Sequence, residues 1–164
     1  MDETDVFSLL EERVDFSDSE TQQTISEHID RAMRWLLKSR DHRGLNYINQ
    51  GDWCDPMNMV GYKGKGVSGW LSLASAYALN TWAEIRKAEG KESLAIEFLE
   101  GAKELNKAVN EHIWNGSWYS RGVTDDGISF GVPDDVEGRI FLNPQGWAIL
   151  SGAADAERSY KIIF

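Results

Sequence analysis

Apolar residues recur three and four positions apart in three long stretches of the chain, which is the period of an amphipathic helix. In the first, Ile25, Ile29, Ala32 or Met33, and Leu36 fall on one stripe. Ser17 and Glu20 stand ahead of it with capping-box spacing, Lys38 and Arg40 suit its C-terminal end, and Gly44 suits a left-handed cap beyond. In the second, Ser68 caps a helix in which Trp70, Leu73 or Ala74, Tyr77, Thr81 or Trp82, and Ile85 share a face, ending before Gly90. The third starts at Ser93 and carries Leu94, Phe98, Ala102, Leu105, Val109 and Ile113. The short joint between the second and third predicts an antiparallel helix hairpin.

Shorter elements follow. Asn115-Gly116 and Asp126-Gly127 are turn dipeptides, so one small β-hairpin fits between Trp114 and Phe130. The stretch GVPDDVEGRIFL is irregular and then extended. Asn143 before Pro144 has the pattern of a helix N-cap with proline at the first helical position, and that helix runs to about Ser151 ahead of Gly152. Asp155 caps a last helix. No strand is long enough for a sheet core, and no repeat of fixed period is present. The expectation is an all-α chain with a small β-hairpin insertion, a single partial domain over residues 1–164.

Between the first two helices the period disappears, from Gly44 to Gly66. Aromatic and apolar residues in this stretch argue against disorder, and ordered loops of such length are usually functional. Composition narrows the partners. Of 164 residues, 41% are hydrophobic and 27% charged, an ordinary globular balance. Seventeen basic against 27 acidic residues leave a net charge of −10, which repels phosphate backbones and anionic lipid. Nucleic acid and membrane are therefore not expected as partners. No apolar run reaches membrane-spanning length, and the start MDETDVFSLLEERVDF has no basic n-region or cleavage site, so a cytoplasmic location is expected. Cys54 stands alone and can form no internal disulfide.

Seven Trp, five Tyr and six Phe are unusually many, and Trp53, Trp114 and Trp118 lie in or beside stretches with Gly, Asp and Asn rather than in helical stripes. Flat rings next to carboxylates and amides suit a pyranose, whose faces are C–H rich and whose rim is hydroxyl. Core packing is the simpler account of these rings, and composition alone favours it. The densest cluster is GDWCDPMN, residues 51–58, where Asp52 and Asp55 flank Trp53. A carboxyl group held against an indole away from water stays protonated near neutrality, as a general acid for glycosidic cleavage must. One carboxylate could face substrate while the other anchors the loop, and an Asp-rich turn bonding its own backbone accounts for both. Gly61, Gly64 and Gly66 with Lys63 and Lys65 match no nucleotide-binding spacing and read as a flexible lead-in to the Trp70 helix. Asp125-Asp126-Gly127 and Asp134-Asp135 lack metal-loop spacing, and His28, His42 and His112 are scattered, so no metal is expected. Cys54 has no neighbour that would activate it. Arg139, Asn143, Gln145 and Trp147 are assigned structural roles, in capping and packing.

GDWCDPMN followed by VGYKGKGVSGWLSLASAYAL resembles the inverting β-glycoside phosphorylases of glycoside hydrolase family 94, whose usual pattern is GDWND-G/C-MN and then G-x-GESVWL. EHIWNGSWYSRGVTDDG and RIFLNPQGWAILSGAADAER resemble it too, in family order, from about residue 21 to the C-terminus. The resemblance implies a piece of an (α/α)6 barrel and a homodimer at full length. It further implies that Asp55 is the catalytic general acid, that Trp53 lines the glucosyl subsite, and that Asp52 belongs to the substrate-binding motif. No cofactor is implied beyond inorganic phosphate as co-substrate to a small-molecule sugar. The family's phosphate-binding residues would lie beyond Phe164, and those for the glucosyl hydroxyls before residue 1. Cys54, Pro56, Val67 and Gly69 depart from the usual Asn, Gly or Cys, Glu and Val. The last two positions lie near the acceptor side in the family, and DWCDPMN is most similar to the cellobionic acid phosphorylases, which release gluconate.

Three functions follow in order: phosphorolysis of a cellobionic acid or cellobiose type β-glucoside, inverting hydrolysis on the same barrel, or carbohydrate binding by a helical module without catalysis. A hydrolase would need a carboxylate base, and neither Asp135 nor Glu137 has motif support for that role. Because the chain stops inside the helix begun at Asp155, it reads as a fragment with bare apolar stripes, and such patches drive association. The isolated chain is expected to oligomerise. A sharp monomer peak in light scattering together with cooperative unfolding would overturn that expectation.

Overall fold

The computed structural model describes residues 10, 11, 13, 14 and 23–164, with the backbone alone at 13, 14 and 55. They fall into two compact units, residues 1–38 and 39–164. In the first, β1 (Arg13–Val14) pairs antiparallel with β2 (Gln23–Thr24), and α1 (Ile25–Lys38) follows. The expected capping box at Ser17 and Glu20 lies outside the described residues. A capping box is present at the observed start of α1: Glu27 N donates to Thr24 Oγ1 at 3.2 Å, and Thr24 N donates to Glu27 Oε2 at 2.8 Å.

The second unit is built on two long helices, α2 (Gly69–Ala88) and α3 (Glu92–His112), joined through Glu89–Lys91. Gly90 takes φ +74° there, and its N–H reaches Lys87 O, so the chain reverses and the two helices pack antiparallel along their lengths. On α3 the buried set is Ala95, Phe98, Gly101, Ala102, Leu105, Ala108 and Val109, close to the expected stripe. The helix starts one residue before Ser93, with Lys91 at the N-cap position and no side-chain cap bond.

On α2 the buried face shares Leu73 and Trp82 with the expected stripe and departs from it elsewhere. It is Leu73, Ala76, Leu79, Trp82 and Ala83 with Ser72, Ser75 and Arg86, while Tyr77 is exposed. Small side chains let α3 approach this face, and small or polar residues carry no hydrophobic signal in the sequence. Trp70 and Tyr77 instead turn to α4 (Leu142–Leu150), where Trp147 meets both rings edge-on at centroid separations of 6.4 and 5.5 Å. Asn80 and Asn106 both donate to Ser151 O and Asn110 donates to Ala153 O, which ties the end of α4 to the α2–α3 pair. The last helix, α5 (Ala156–Ile163), is capped by Asp155, whose Oδ1 accepts from Arg158 N at 2.8 Å.

Three two-residue strands form one antiparallel sheet in the order β3-β4-β5: β3 (Val67–Ser68), β4 (Gly122–Val123) and β5 (Ser129–Phe130). The predicted hairpin is β4–β5, turning at Asp126-Gly127, and Trp114 pairs with Tyr119 around Asn115-Gly116. The third strand, β3, is new. Val67 pairs with Val123 and also with Tyr47, so the long loop is stitched to the sheet and Leu45 and Ile48 enter the core. Gly44, with φ +87°, serves a turn in which its N–H bonds Asp41 O, rather than the end of α1. Phe141, rather than Asn143, occupies the N-cap position of α4 and makes no side-chain cap bond. Among the described residues no helix is long and apolar enough to cross a membrane.

Leu105 is 0% exposed in the α2–α3 seam. Leu105→Ala should lower unfolding free energy by roughly 2–5 kcal/mol, measured by urea denaturation. A loss near zero would mean that the seam does not hold this unit together.

Candidate active site

The loop that carries GDWCDPMN is fixed at its start by Asp52. Its side chain is 0% exposed and forms an ion pair with Arg121, itself 2% exposed, through Arg121 Nη2 to Asp52 Oδ1 at 2.7 Å. The same oxygen accepts from Trp53 N at 2.6 Å and Cys54 N at 3.1 Å, and Asp52 Oδ2 accepts from Ser68 Oγ at 2.6 Å. Ser68 is shared. It takes a second bond from Arg121 Nη1 at 2.9 Å and caps α2 by accepting from Leu71 N at 2.9 Å. Burial pushes the Asp52 carboxyl up, but the Ser68 hydroxyl, the Arg121 guanidinium and the Cys54 N–H outweigh it and hold the group below its ordinary value of 3.8. Of the two expected arrangements, Asp52 takes the anchoring one: its carboxylate is turned into the protein.

The far end of the loop is fixed by a second carboxylate. Asp125 accepts from Lys63 N at 2.7 Å through Oδ2, and from Lys65 N at 2.8 Å and Gly66 N at 2.9 Å through Oδ1. Asp125 N returns a bond to Val60 O, and Lys63 Nζ pairs with Asp126 at 2.9 Å. The glycine- and lysine-rich stretch therefore does form an anion cradle of backbone amides, and its occupant is a side chain of this same chain. It is pinned rather than a flexible lead-in.

Between these feet the chain rises to an exposed apex. Trp53 is 74% exposed, and Asp55 opens the 3₁₀ turn Asp55–Met57 with Pro56 in its first turn. Trp53 stands at the rim of a cleft of about 390 Å³ lined by Trp70, Trp147 and Asn143. Trp53 and Trp70 have centroids 6.3 Å apart and tilted by 52°, and Arg121 Cζ lies 5.7 Å from the Trp70 centroid on its other contact. Asn143 and Trp147 thus line the cleft, where the sequence assigned them to capping and packing. Trp147 also packs against Tyr77, so its structural role is retained. Gln145 is structural as expected, clamping Tyr119 by accepting from its N–H at 2.9 Å and donating to its carbonyl at 2.8 Å. Arg139 donates to Asp135 O at 2.7 Å and is likewise a loop brace.

Comparison with known proteins decides the family. The profile of the Glycosyl hydrolase 94 superfamily, catalytic domain, matches residues 1–163. The chain belongs to this superfamily. A cellobionic acid phosphorylase of Neurospora crassa is 58% identical over 163 residues, 99% of this chain and 20% of the relative. A solabiose phosphorylase of Paenibacillus borealis is 39% identical over 96% of this chain and 20% of its own length. A 3-O-β-D-glucopyranosyl-β-D-glucuronide phosphorylase of the same organism is 38% identical, over 92% and 20%. The chain spans about a fifth of the length of these relatives. In fold alone, it is similar to a GH78 family rhamnosidase of Bacillus sp. GL1, with a TM-score of 0.65 at 21% identity over 84% of this chain and 14% of that one.

Two departures from the usual glycoside hydrolase 94 pattern have structural explanations. Val67 is 0% exposed and packs in the core with Leu45 and Val123, so the position is interior rather than open to an acceptor. Gly69 begins α2 where a Cβ would lie 2.8 Å from both Ile113 Cγ2 and Ser120 O, too close for any side chain. Neither residue reaches the cleft. Cys54 is half-buried and its N–H bonds Asp52, which requires only a backbone amide at that position.

Both anchoring carboxylates, Asp52 and Asp125, are held below the ordinary 3.8; for Asp125, burial raises its value and the Lys63, Lys65 and Gly66 amides more than reverse that. A carboxyl that is more acidic folded than unfolded stabilises the fold fully above its unfolded value. That contribution is lost as pH falls through the lower folded value. Urea unfolding should therefore show stability flat through neutral pH and falling below about pH 4. Asp125→Asn should start lower and fall less steeply in that window. Equal acid slopes in the two proteins would remove Asp125 as an ionised anchor.

Proposed function

We propose that this chain is the acid-bearing segment of an inverting β-glycoside phosphorylase, cut from an (α/α)6 barrel, that acts on cellobionic acid or a closely related β-glucoside. The observation that carries this is the apex of the loop. An exposed indole, Trp53, rims an aromatic cleft and stands two positions before Asp55, on backbone held by Asp52. The 58% identity to a cellobionic acid phosphorylase supports the substrate class.

In this reading the apolar walls formed by Trp53, Trp70 and Trp147 take the C–H faces of the glucosyl ring. Asn143 offers one amide donor pair and one carbonyl acceptor to the hydroxyl rim. Asp55 is the general acid. It transfers its proton to the interglycosidic oxygen as the C–O bond to the anomeric carbon breaks, so the acceptor leaves as a neutral alcohol. A phosphate oxygen forms the new bond to that carbon from the opposite face, giving α-glucose 1-phosphate with inversion. Phosphate is already anionic at neutral pH, so the scheme needs no protein base where an inverting hydrolase does.

The test uses the complete gene product with cellobionic acid and cellobiose, each with and without inorganic phosphate, reading glucose 1-phosphate. Phosphate-dependent release is expected, greater from cellobionic acid. Asp55→Asn should lose turnover by on the order of 10²–10⁴-fold while disaccharide binding persists. Cleavage without phosphate would make the protein a hydrolase, and binding without turnover would make it a carbohydrate-binding module.

A further inference from the structure

The ion pair beneath the acid loop has an owner on each side, and the sequence singled out only Asp52. Arg121 reaches it from the residue before β4, far along the chain, and the fold goes to some length to bring it there. Arg121 N donates to Phe130 O at 2.9 Å and Gly69 N donates to Arg121 O at 3.0 Å, so its backbone is fixed to β5 on one side and to the start of α2 on the other. Gly131 leaves room for it: a Cβ at that position would lie 2.8 Å from Arg121 N and 3.0 Å from Arg121 Cβ. The guanidinium then spans three structures at once. It holds Asp52 of the loop, Ser68 at the cap of α2, and the face of Trp70 in the cleft wall.

We infer that Arg121 is a positioning residue for the proposed reaction: through Asp52 it fixes the backbone that carries Trp53 and Asp55, and through Ser68 and Trp70 it keeps that backbone in register with the aromatic wall. Its side chain is only 2% exposed and its hydrogen bonds run to the protein, so it touches no sugar. Asp52 accepts from Trp53 N and Cys54 N, the two amides next to the acid, and its direction is set by the fork of Arg121 and the hydroxyl of Ser68. Lysine matches the charge but offers a single nitrogen in place of the planar fork whose Nη1 reaches Ser68 and Nη2 reaches Asp52.

The inference rests on Asp55 being the acid, and the experiment separates the two. In the complete gene product, Arg121→Ala and Asp55→Asn are each assayed, with phosphate, on cellobionic acid and on 2,4-dinitrophenyl β-glucoside, whose leaving group departs without a proton. Displacing a reacting group by about an ångström costs roughly 100-fold, so Arg121→Ala should lose about that in kcat on the disaccharide. On the aryl glucoside it should lose only a few-fold, with KM raised similarly for both. Millimolar guanidinium should restore part of the disaccharide rate. Equal kcat losses on the two substrates, or no loss at all, would overturn the positioning role. If Arg121→Ala does not fold, Arg121→Lys is measured in the same way and is expected to show the same selectivity at smaller size. If Asp55→Asn itself shows no leaving-group selectivity, the acid assignment fails, whatever Arg121 does.

Discussion

Asp52 and Arg121 are both withdrawn from water, and the chemistry proposed for this chain depends on how that charge pair is satisfied. Desolvating a carboxylate and a guanidinium costs several kcal/mol each, and one good contact rarely recovers it. Here the carboxylate has four donors from three segments: the guanidinium, two loop amides and the Ser68 hydroxyl. Each donor arrives from a fixed direction, so the pair specifies orientation as well as proximity. An apolar pair of the same volume would hold the segments together while leaving the loop free to rotate. Removing one partner is the costly case, because it leaves the other charge buried and alone.

The small sheet exists to serve that pair. Two-residue strands contribute little by themselves, yet β3 and β4 set Ser68 against Gly122, and the next residue back from Gly122 is Arg121. Helix α2 starts where β3 ends, so its cap, the ion pair and the rim of the cleft are consecutive in space. The long α2–α3 hairpin below supplies the apolar burial that keeps this end from moving. Packing energy and site geometry are thus divided by chemistry: Phe98, Leu105 and Val109 on α3 are buried and apolar, and the ion pair above them is polar and held by several hydrogen bonds.

Local signals were legible in the sequence and pairings were not. Ser68 and Asp155 announced their helices because an N-cap acts within three residues, and the stripe on α3 showed because its core residues are large and apolar. On α2 the inward face holds Ser72, Ser75, Ala76 and Arg86 beside Leu73 and Trp82, so hydrophobic spacing found only part of it and also took in Trp70 and Tyr77, which meet Trp147. Asn143 had the composition of a cap, but the preceding extended chain puts Phe141 at that position and leaves Asn143 to line the cleft. For the site, Trp53 and the two aspartates were found because they are adjacent in one loop. Arg121 was missed because its partner is 69 positions away, and an arginine in a small hairpin resembles any exposed one. The family resemblance sets Val67 near the acceptor side of the site, and a strand of two residues has no period that would mark the position as interior.

Two carboxylates, Asp52 and Asp125, hold the two ends of one loop, and this bears on how an exposed loop can keep one shape. Most of what lies between them is open to solvent, including Trp53, Met59 and Tyr62, an arrangement that usually costs precision. Loop-closure entropy depends on how far apart the fixed points are along the chain, and here both feet are fixed by three or more hydrogen bonds each. The short 3₁₀ turn with Pro56 removes further freedom in the middle. In the proposed reaction, an apex so constrained would leave the Trp53 indole with little ordering to do on binding. Because the amide cradle at the second foot already holds Asp125, it has no place for inorganic phosphate. In the proposed reaction, then, that cradle is an anchor for the loop and not the seat of the attacking anion.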